Sequence, residues 1–187
     1  HLMTGEPYLA RLVFGLRRPR QPVPGLDVAG RVVAVGANAT RFRVGDDVMG
    51  IGTGTYAEYA VAKESKLVPK PETLSFADAS VVAISAGTAL QALTDKGKVQ
   101  AGERVLVLGA SGGVGSYAVQ IAIALGARVT GVASAAKAGA VRGWGAERVI
   151  DHGSEDFTED GPVYYLIVDC GGGNSIRRLR KALTERG

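Results

Sequence analysis

Apolar residues change period twice along the chain, and those changes divide it. Over the first 75 residues they come in short valine and tyrosine runs bounded by glycine. Gly30-Arg-Val-Val-Ala-Val-Gly36 and Val48 to Val61 read as strands, with a turn at Gly45-Asp-Asp47 between them. Pro69-Lys-Pro71 interrupts that pattern. Ser75-Phe-Ala-Asp78 has the spacing of a helix start, Ser75 as cap and an acid three residues on, and an alanine-rich helical stretch runs towards Leu93, with two pieces meeting near Gly87.

From Ala101 the chain alternates. Arg104-Val-Leu-Val-Leu108 is an apolar run of strand length, Gly109 to Gly115 a glycine turn, and Ser116 to Leu125 carries apolar residues at helical spacing. Further strands are predicted at Arg128–Val132, Arg148–Asp151 and Val163–Asp169, with helices at Ala138–Trp144 and Ser175–Leu183. Alternation of this kind predicts a parallel sheet covered on both faces, with its ligand at the carboxyl ends of the strands. That edge collects Gly109–Gly115, Ser134, Asp151, His152 and the Asp169-Cys-Gly-Gly172 run. The expected fold class is α/β, a Rossmann-type doubly wound parallel sheet preceded by part of a β-rich domain.

The turn carries the chemistry. A pyrophosphate resting on a helix N-terminus needs free N–H groups and no Cβ in its way, which Gly112 and Gly113 provide, while Gly115 lets helix and strand approach. Ala110 replaces the first glycine of the usual G-x-G-x-x-G. A tight strand-to-helix turn without a ligand is the competing reading of the same residues. No Asp or Glu occurs between Arg104 and Ala146, so the acid that binds an NAD ribose about 20 residues beyond the turn is missing. Ser134 and Lys137 stand in that region, and a hydroxyl with an ammonium suits a 2′-phosphate, which points to NADP(H). A solvated lysine at a helix start is the alternative for Lys137.

Composition narrows the class without deciding it. The 187 residues are 46% hydrophobic and 21% charged, as in a soluble globular protein, and the 27 glycines fit many tight turns. The net charge of +4 has one cluster, Arg17-Arg-Pro-Arg20, with no interleaved aromatics, so a solvated loop is expected there and no nucleic-acid arm. One cysteine, Cys170, excludes an internal disulfide, and with only His1 and His152 besides, no metal site is expected. No apolar run is long enough to span a membrane and no secretion signal opens the chain, so a cytoplasmic protein without membrane partners is expected. The start at His1 and the stop after a helical segment suggest a piece of a longer polypeptide. Tyr59-Ala-Val-Ala-Lys63 has a Tyr-x-x-x-Lys spacing, but in a strand those side chains stand about 13 Å apart, so it is not read as an acid/base pair.

Several segments stand in a familiar order: Pro24-Gly-Leu-Asp-Val-Ala-Gly30, Val44-Gly-Asp-Asp-Val48, Tyr56-Ala-Glu-Tyr59, Ser85-Ala-Gly-Thr-Ala89, Gly109-Ala-Ser-Gly-Gly-Val-Gly115 and Ala118-Val-Gln120. Together they resemble the medium-chain dehydrogenase/reductase superfamily, in its zinc-free quinone oxidoreductase branch, over essentially the whole chain. The resemblance implies part of a GroES-like domain over residues 1–84 and part of a Rossmann domain over 85–187, both lacking flanking segments that relatives have. It implies hydride transfer from NADPH to a quinone or an α,β-unsaturated carbonyl compound as small-molecule acceptor, in a cleft between the two domains. Relatives are commonly homodimers.

Carried over, Ala110, Ser111, Gly112, Gly113 and Val114 belong to the cofactor loop, with the last three at the pyrophosphate. Thr88 falls beside the nicotinamide, and Ser134 and Lys137 at the 2′-phosphate. His152 stands where relatives often have tyrosine near that phosphate, and a surface histidine is its other reading. Cys170 is read as structural. Leu26 occupies the place of a histidine that binds zinc in alcohol dehydrogenases. No catalytic residue is identified, since Tyr8 and Tyr56 are proton donors by resemblance only and solvent could serve. Two rival functions remain: a nucleotide-binding structural or regulatory protein without turnover, and an enoyl reductase of a multidomain synthase.

Overall fold

The computed structural model describes residues 22–187, so Arg17–Arg20, Tyr8 and His1 lie outside the described residues. The chain divides into two compact units, His1–Ile84 and Ser85–Gly187.

The first unit carries a three-stranded antiparallel sheet in the order β1 (Asp27–Arg31), β2 (Asp47–Ile51), β3 (Leu67–Pro69). Its small core is Phe42, Val48 and Leu67, with Val28, Val32 and Ala62 packed against them. Arg31 and Asp47 face each other in register and form an exposed ion pair of 2.7 Å. The strand expected from Gly30 to Gly36 is displaced. Val32 is the last residue with a ladder-like bond, to Asp46, because β2 begins only after the turn at Gly45, whose φ is +102°. Val33 and Val35 are consequently exposed. The run Val48–Val61 is strand only as far as Ile51, and beyond it Thr53 and Val61 form a single bridge. Tyr59–Lys63 is therefore neither the expected strand nor a helix, and Tyr59 is exposed.

Ser75 caps α1 (Phe76–Ala79) as its spacing predicts, its hydroxyl accepting from the Asp78 N–H at 3.0 Å. The break between the two helical pieces falls at residues 80–82 and not near Gly87, which lies inside α2 (Ala83–Gln91). A π-helical turn, Ala92–Lys96, ends that helix around the fully buried Leu93.

The second unit holds a wholly parallel four-stranded sheet in the order β6-β5-β4-β7: Arg148–Asp151, Arg128–Ala133, Arg104–Leu108 and Leu166–Asp169. Strand alternation divides β4 between two cores. Val105 and Val107 pack with Ala118, Val119 and Ala122 of α3 (Gly113–Ala124), whereas Leu106 and Leu108 pack with Phe157, Tyr164 and Ala182 on the other face. Each of these buried β4 side chains contributes about 1.5–3 kcal/mol. Helix α4 (Ala135–Gly143) starts three residues before the position read from sequence, directly after β5.

The fourth strand of this sheet, expected from Val163, begins at Leu166 because Tyr164 pairs instead with the segment 182–184: its N–H donates to Ala182 O at 3.0 Å and its carbonyl accepts from Thr184 N–H at 2.9 Å. Helix α5 is shorter than expected, Ile176–Arg180, capped by Ser175. No helix among the described residues is long and apolar enough to cross a membrane.

Candidate functional site

Chain order places β5 and β6 on one side of β4 and β7 on the other, so the order of the parallel strands reverses between β4 and β7. Outside the carboxyl ends of the strands at such a reversal, a crevice forms. Two clefts open there, both in the second unit.

The first, about 770 Å³, is lined by Thr88 and Lys96 on one wall, Gly112, Gly113 and Val114 on another, and Asp169 and Cys170 beyond them. Gly109 turns the chain into it with φ of +73°, a conformation that suits glycine. Gly112 N–H donates back to Gly109 O at 3.0 Å, and Gly112 caps α3 without a side chain. The N–H groups of Gly113, Val114 and Gly115 begin the helix with no hydrogen-bond partner among the described residues. A helix start of this kind attracts an anion. A Cβ on Gly113 would approach the Ser85 hydroxyl to 3.2 Å and close the cradle, and one on Gly115 would overlap the Gly109 carbonyl.

The second cleft, about 600 Å³, brings together Ser111, Ser134, Lys137 and His152. Ser134 is the N-cap residue of α4, yet its hydroxyl caps nothing. The carboxylate of Asp151 takes that task from the end of β6, accepting from Ala135 N–H at 3.2 Å and from Gly153 N–H at 3.1 Å. These bonds, the Gly153 N–H foremost, hold the Asp151 carboxyl below its ordinary range. Lys137 forms no ion pair among the described residues. Glu155 is the acid in this cleft, but its Oε2 meets Arg148 at 3.3 Å and its Oε1 accepts from Asp151 N–H at 3.2 Å.

The amino-terminal part of the chain, residues 2–72, matches the alcohol dehydrogenase GroES-like domain. The chain is 37% identical to a chloroplastic quinone-oxidoreductase homologue of Spinacia oleracea, over 98% of this chain and 61% of the relative. The quinone oxidoreductase of Coxiella burnetii has a similar structure, with a TM-score of 0.88 at 31% identity, over all of this chain and 59% of that one. The chain belongs to the quinone oxidoreductase branch of the medium-chain dehydrogenase/reductase superfamily. A mycobacterial protein solved in complex with NADPH is also similar in structure, with a TM-score of 0.68 at 33% identity, over 73% of this chain and 44% of that one. The chain spans about three fifths of the length of the spinach and Coxiella relatives.

Of the nine positions expected from sequence at the cofactor, eight line one of the two clefts: Thr88, Gly112, Gly113 and Val114 the first, Ser111, Ser134, Lys137 and His152 the second. Ala110 lines neither. Its methyl group is fully buried in the core and its N–H donates to Val132 O at 2.9 Å. Tyr56, in the first unit, is exposed.

Sequence reasoning passed over Lys96 in the first cleft and Phe157, Asn174 and Arg178 in the second. Asn174 and Arg178 were readable in part, since Ser175 has a capping spacing that places Asn174 before the helix and Arg178 in its first turn. Lys96 gave no signal, because only the π turn carries it to the edge of the crevice.

The Cys170 thiol is pushed up from its ordinary range, by burial first and then by the Asp169 carboxylate. A thiol so held is a weak nucleophile at neutral pH.

Proposed function

We propose that the chain holds NADPH, and that the protein to which it belongs is a reductase passing reducing equivalents to a quinone or an α,β-unsaturated carbonyl compound without zinc. The observation that carries this reading is the convergence of Ser134, Lys137 and His152 on one cleft, with no carboxylate at the end of β5. The NADPH complex of the mycobacterial relative supports the choice of cofactor, and the quinone oxidoreductase relatives support the acceptor class.

The residues present fit the cofactor. Gly112, Gly113 and Val114 offer helix-start N–H groups to a pyrophosphate, the free Ser134 hydroxyl and the Lys137 ammonium meet a 2′-phosphate, and His152 adds a donor beside them. Glu155 lines the same cleft, but its pairing with Arg148 at 3.3 Å offsets part of its repulsion for such a phosphate. Thr88 and Ser85 stand on the wall where a nicotinamide would be fixed, and Lys96 brings a positive charge to the rim of the same cleft. When bound, NADPH supplies a hydride to an electron-poor carbon. The chain's share is orientation and proximity. Leu26 stands at the position of the zinc-binding histidine, and a hydrocarbon side chain ligates nothing.

The test follows NADPH absorbance in the complete gene product with a panel of quinones and enals, alongside calorimetric binding of NADPH and NADH to this chain. Oxidation of NADPH by one acceptor class and preferential binding of NADPH are expected. Equal affinity for the two dinucleotides overturns the cofactor assignment, and tight binding without turnover favours a structural role.

A further inference from the structure

The second cleft contains one group that works against a phosphate. Glu155 lines it together with Ser134, Lys137 and His152. Its carboxylate is held by two bonds: Oε1 accepts from Asp151 N–H at 3.2 Å, and Oε2 meets Arg148 Nη2 at 3.3 Å. Both are long for an ionised carboxyl, and the side chain is about half exposed. A group so loosely held turns when one of its partners is lost.

Arg148 is the firmer of those partners because it is itself fixed. It leaves β6 on the face of Ile150, which packs with Phe157 and Tyr164. Its Nη1 meets Asp160 Oδ1 at 2.6 Å, and Asp160 Oδ2 accepts from the hydroxyl of the fully buried Tyr164 at 2.7 Å. The Asp160 side chain is only 16% exposed, so this shorter bond is sheltered from solvent. One guanidinium thus spans two carboxylates, and the sheltered end anchors the exposed one. A lysine ammonium, a compact point charge, would settle on Asp160 alone. Arg148 itself does not line the cleft.

We propose that Arg148 determines dinucleotide preference from outside the cleft, by drawing the Glu155 carboxylate to itself and neutralising part of its charge. It acts as a positioning residue, through Glu155. Unanchored, Glu155 turns into the cleft, where it repels a 2′-phosphate and competes with it for the Lys137 ammonium. A free 2′-hydroxyl meets no such opposition, since a carboxylate accepts its hydrogen bond. The proposal rests on the NADPH reading above and adds the residue that keeps the cleft open to a phosphate.

Calorimetric titration of the complete gene product with NADPH and NADH reads the preference, in the unmodified protein and in Arg148→Met, Arg148→Lys, Glu155→Gln and the double variant Arg148→Met with Glu155→Gln. Arg148→Met should weaken NADPH about fivefold, the size of an exposed charge interaction, and leave NADH nearly unchanged. High salt should narrow that loss. Glu155→Gln, which leaves the bonds among Arg148, Asp160 and Tyr164 in place, should tighten NADPH by about twofold. In the double variant the arginine substitution should cost NADPH nothing beyond the Glu155→Gln value. Thermal unfolding confirms that each variant is folded. If Arg148→Met is unstable, Arg148→Lys gives the answer, because it keeps a cation for Asp160, releases Glu155, and should weaken NADPH by about twofold without affecting NADH.

Three results overturn the proposal: an equal loss of NADPH and NADH in Arg148→Met, which marks a structural role; a loss of NADPH that persists undiminished in the double variant, which marks a direct effect of the arginine charge; or unchanged NADPH affinity in both Arg148 variants. Failure of the unmodified protein to bind any dinucleotide, or equal loss of both in Lys137→Ala, overturns the reading beneath it and the proposal with it.

Discussion

Asp151 Oδ1 accepts a hydrogen bond from Ala135 N–H at 3.2 Å, so the helix that Ser134 begins is capped from a neighbouring strand. The serine hydroxyl is thereby spared. Asp151→Ala should lower the unfolding midpoint more than Ser134→Ala, which should change stability by no more than about 0.5 kcal/mol while weakening NADPH. The bonds from Gly153, Ser154 and Ala135 keep the Asp151 carboxyl below its ordinary range. Its contribution is therefore present above about pH 4 and lost as the pH falls through the lowered value. Thermal melts from pH 7 downward should show the parent and Asp151→Asn converging in acid, and a constant gap would contradict this.

Lys137 supplies the ammonium of the phosphate site, beside the Ser134 hydroxyl and His152. Its removal in Lys137→Ala should weaken NADPH by roughly tenfold to a hundredfold, the equivalent of about 1.5–3 kcal/mol, and leave NADH nearly unchanged. Titration with both dinucleotides checks it, and parallel losses would return Lys137 to the status of a surface lysine.

The glycines of this unit are not equivalent. Gly115→Ala places a methyl group against the Gly109 carbonyl and should cost about 1–3 kcal/mol. Gly139→Ala, inside α4 with nothing near its added carbon, should stabilise by about 0.5–1 kcal/mol. Urea unfolding of the pair reads both signs in one experiment.

These contrasts mark where the sequence was legible. The apolar runs announced all four strands of the parallel sheet, because strands buried on both faces leave little choice of residue. The glycine turn and Ser134 announced the edge. Less legible was anything set by a partner distant in sequence: Tyr164 reads as strand, yet bonds to Ala182 and Thr184 draw it out of the sheet. The valines at 33 and 35 likewise look like strand, but no neighbour faces them once β2 has turned at Gly45. Arg178 was hidden for a similar reason, since a basic residue in a basic helix acquires meaning only from Phe157 and Asp156.

Tyr164 is fully buried and its hydroxyl donates to Asp160 Oδ2 at 2.7 Å, while Arg148 reaches Asp160 Oδ1 at 2.6 Å. Burial works against the Asp160 charge, but Tyr164 and Arg148 outweigh it and hold the carboxyl below its ordinary range. Tyr164→Phe should cost about 1.5–3 kcal/mol near neutral pH. The difference should shrink as the medium is acidified through the lowered carboxyl value, where the parent loses the same stabilisation.

Cys170 lines the first cleft with its thiol pushed upward by burial and by Asp169. Alkylation by iodoacetamide should be slow at neutral pH, accelerate only above the ordinary thiol range of about 8.5, and slow further when NADPH is present. Cys170 is exposed, so rapid labelling at pH 7 would show that its thiol is not held above the ordinary range.

Gly109 lines both clefts. One peptide thus forms a party wall between two tenants, and a shift in it on behalf of either is felt by the other. Occupancy on one side will therefore alter the grip on the other, and the strengths of separate half-molecules will not simply sum to that of the joined whole.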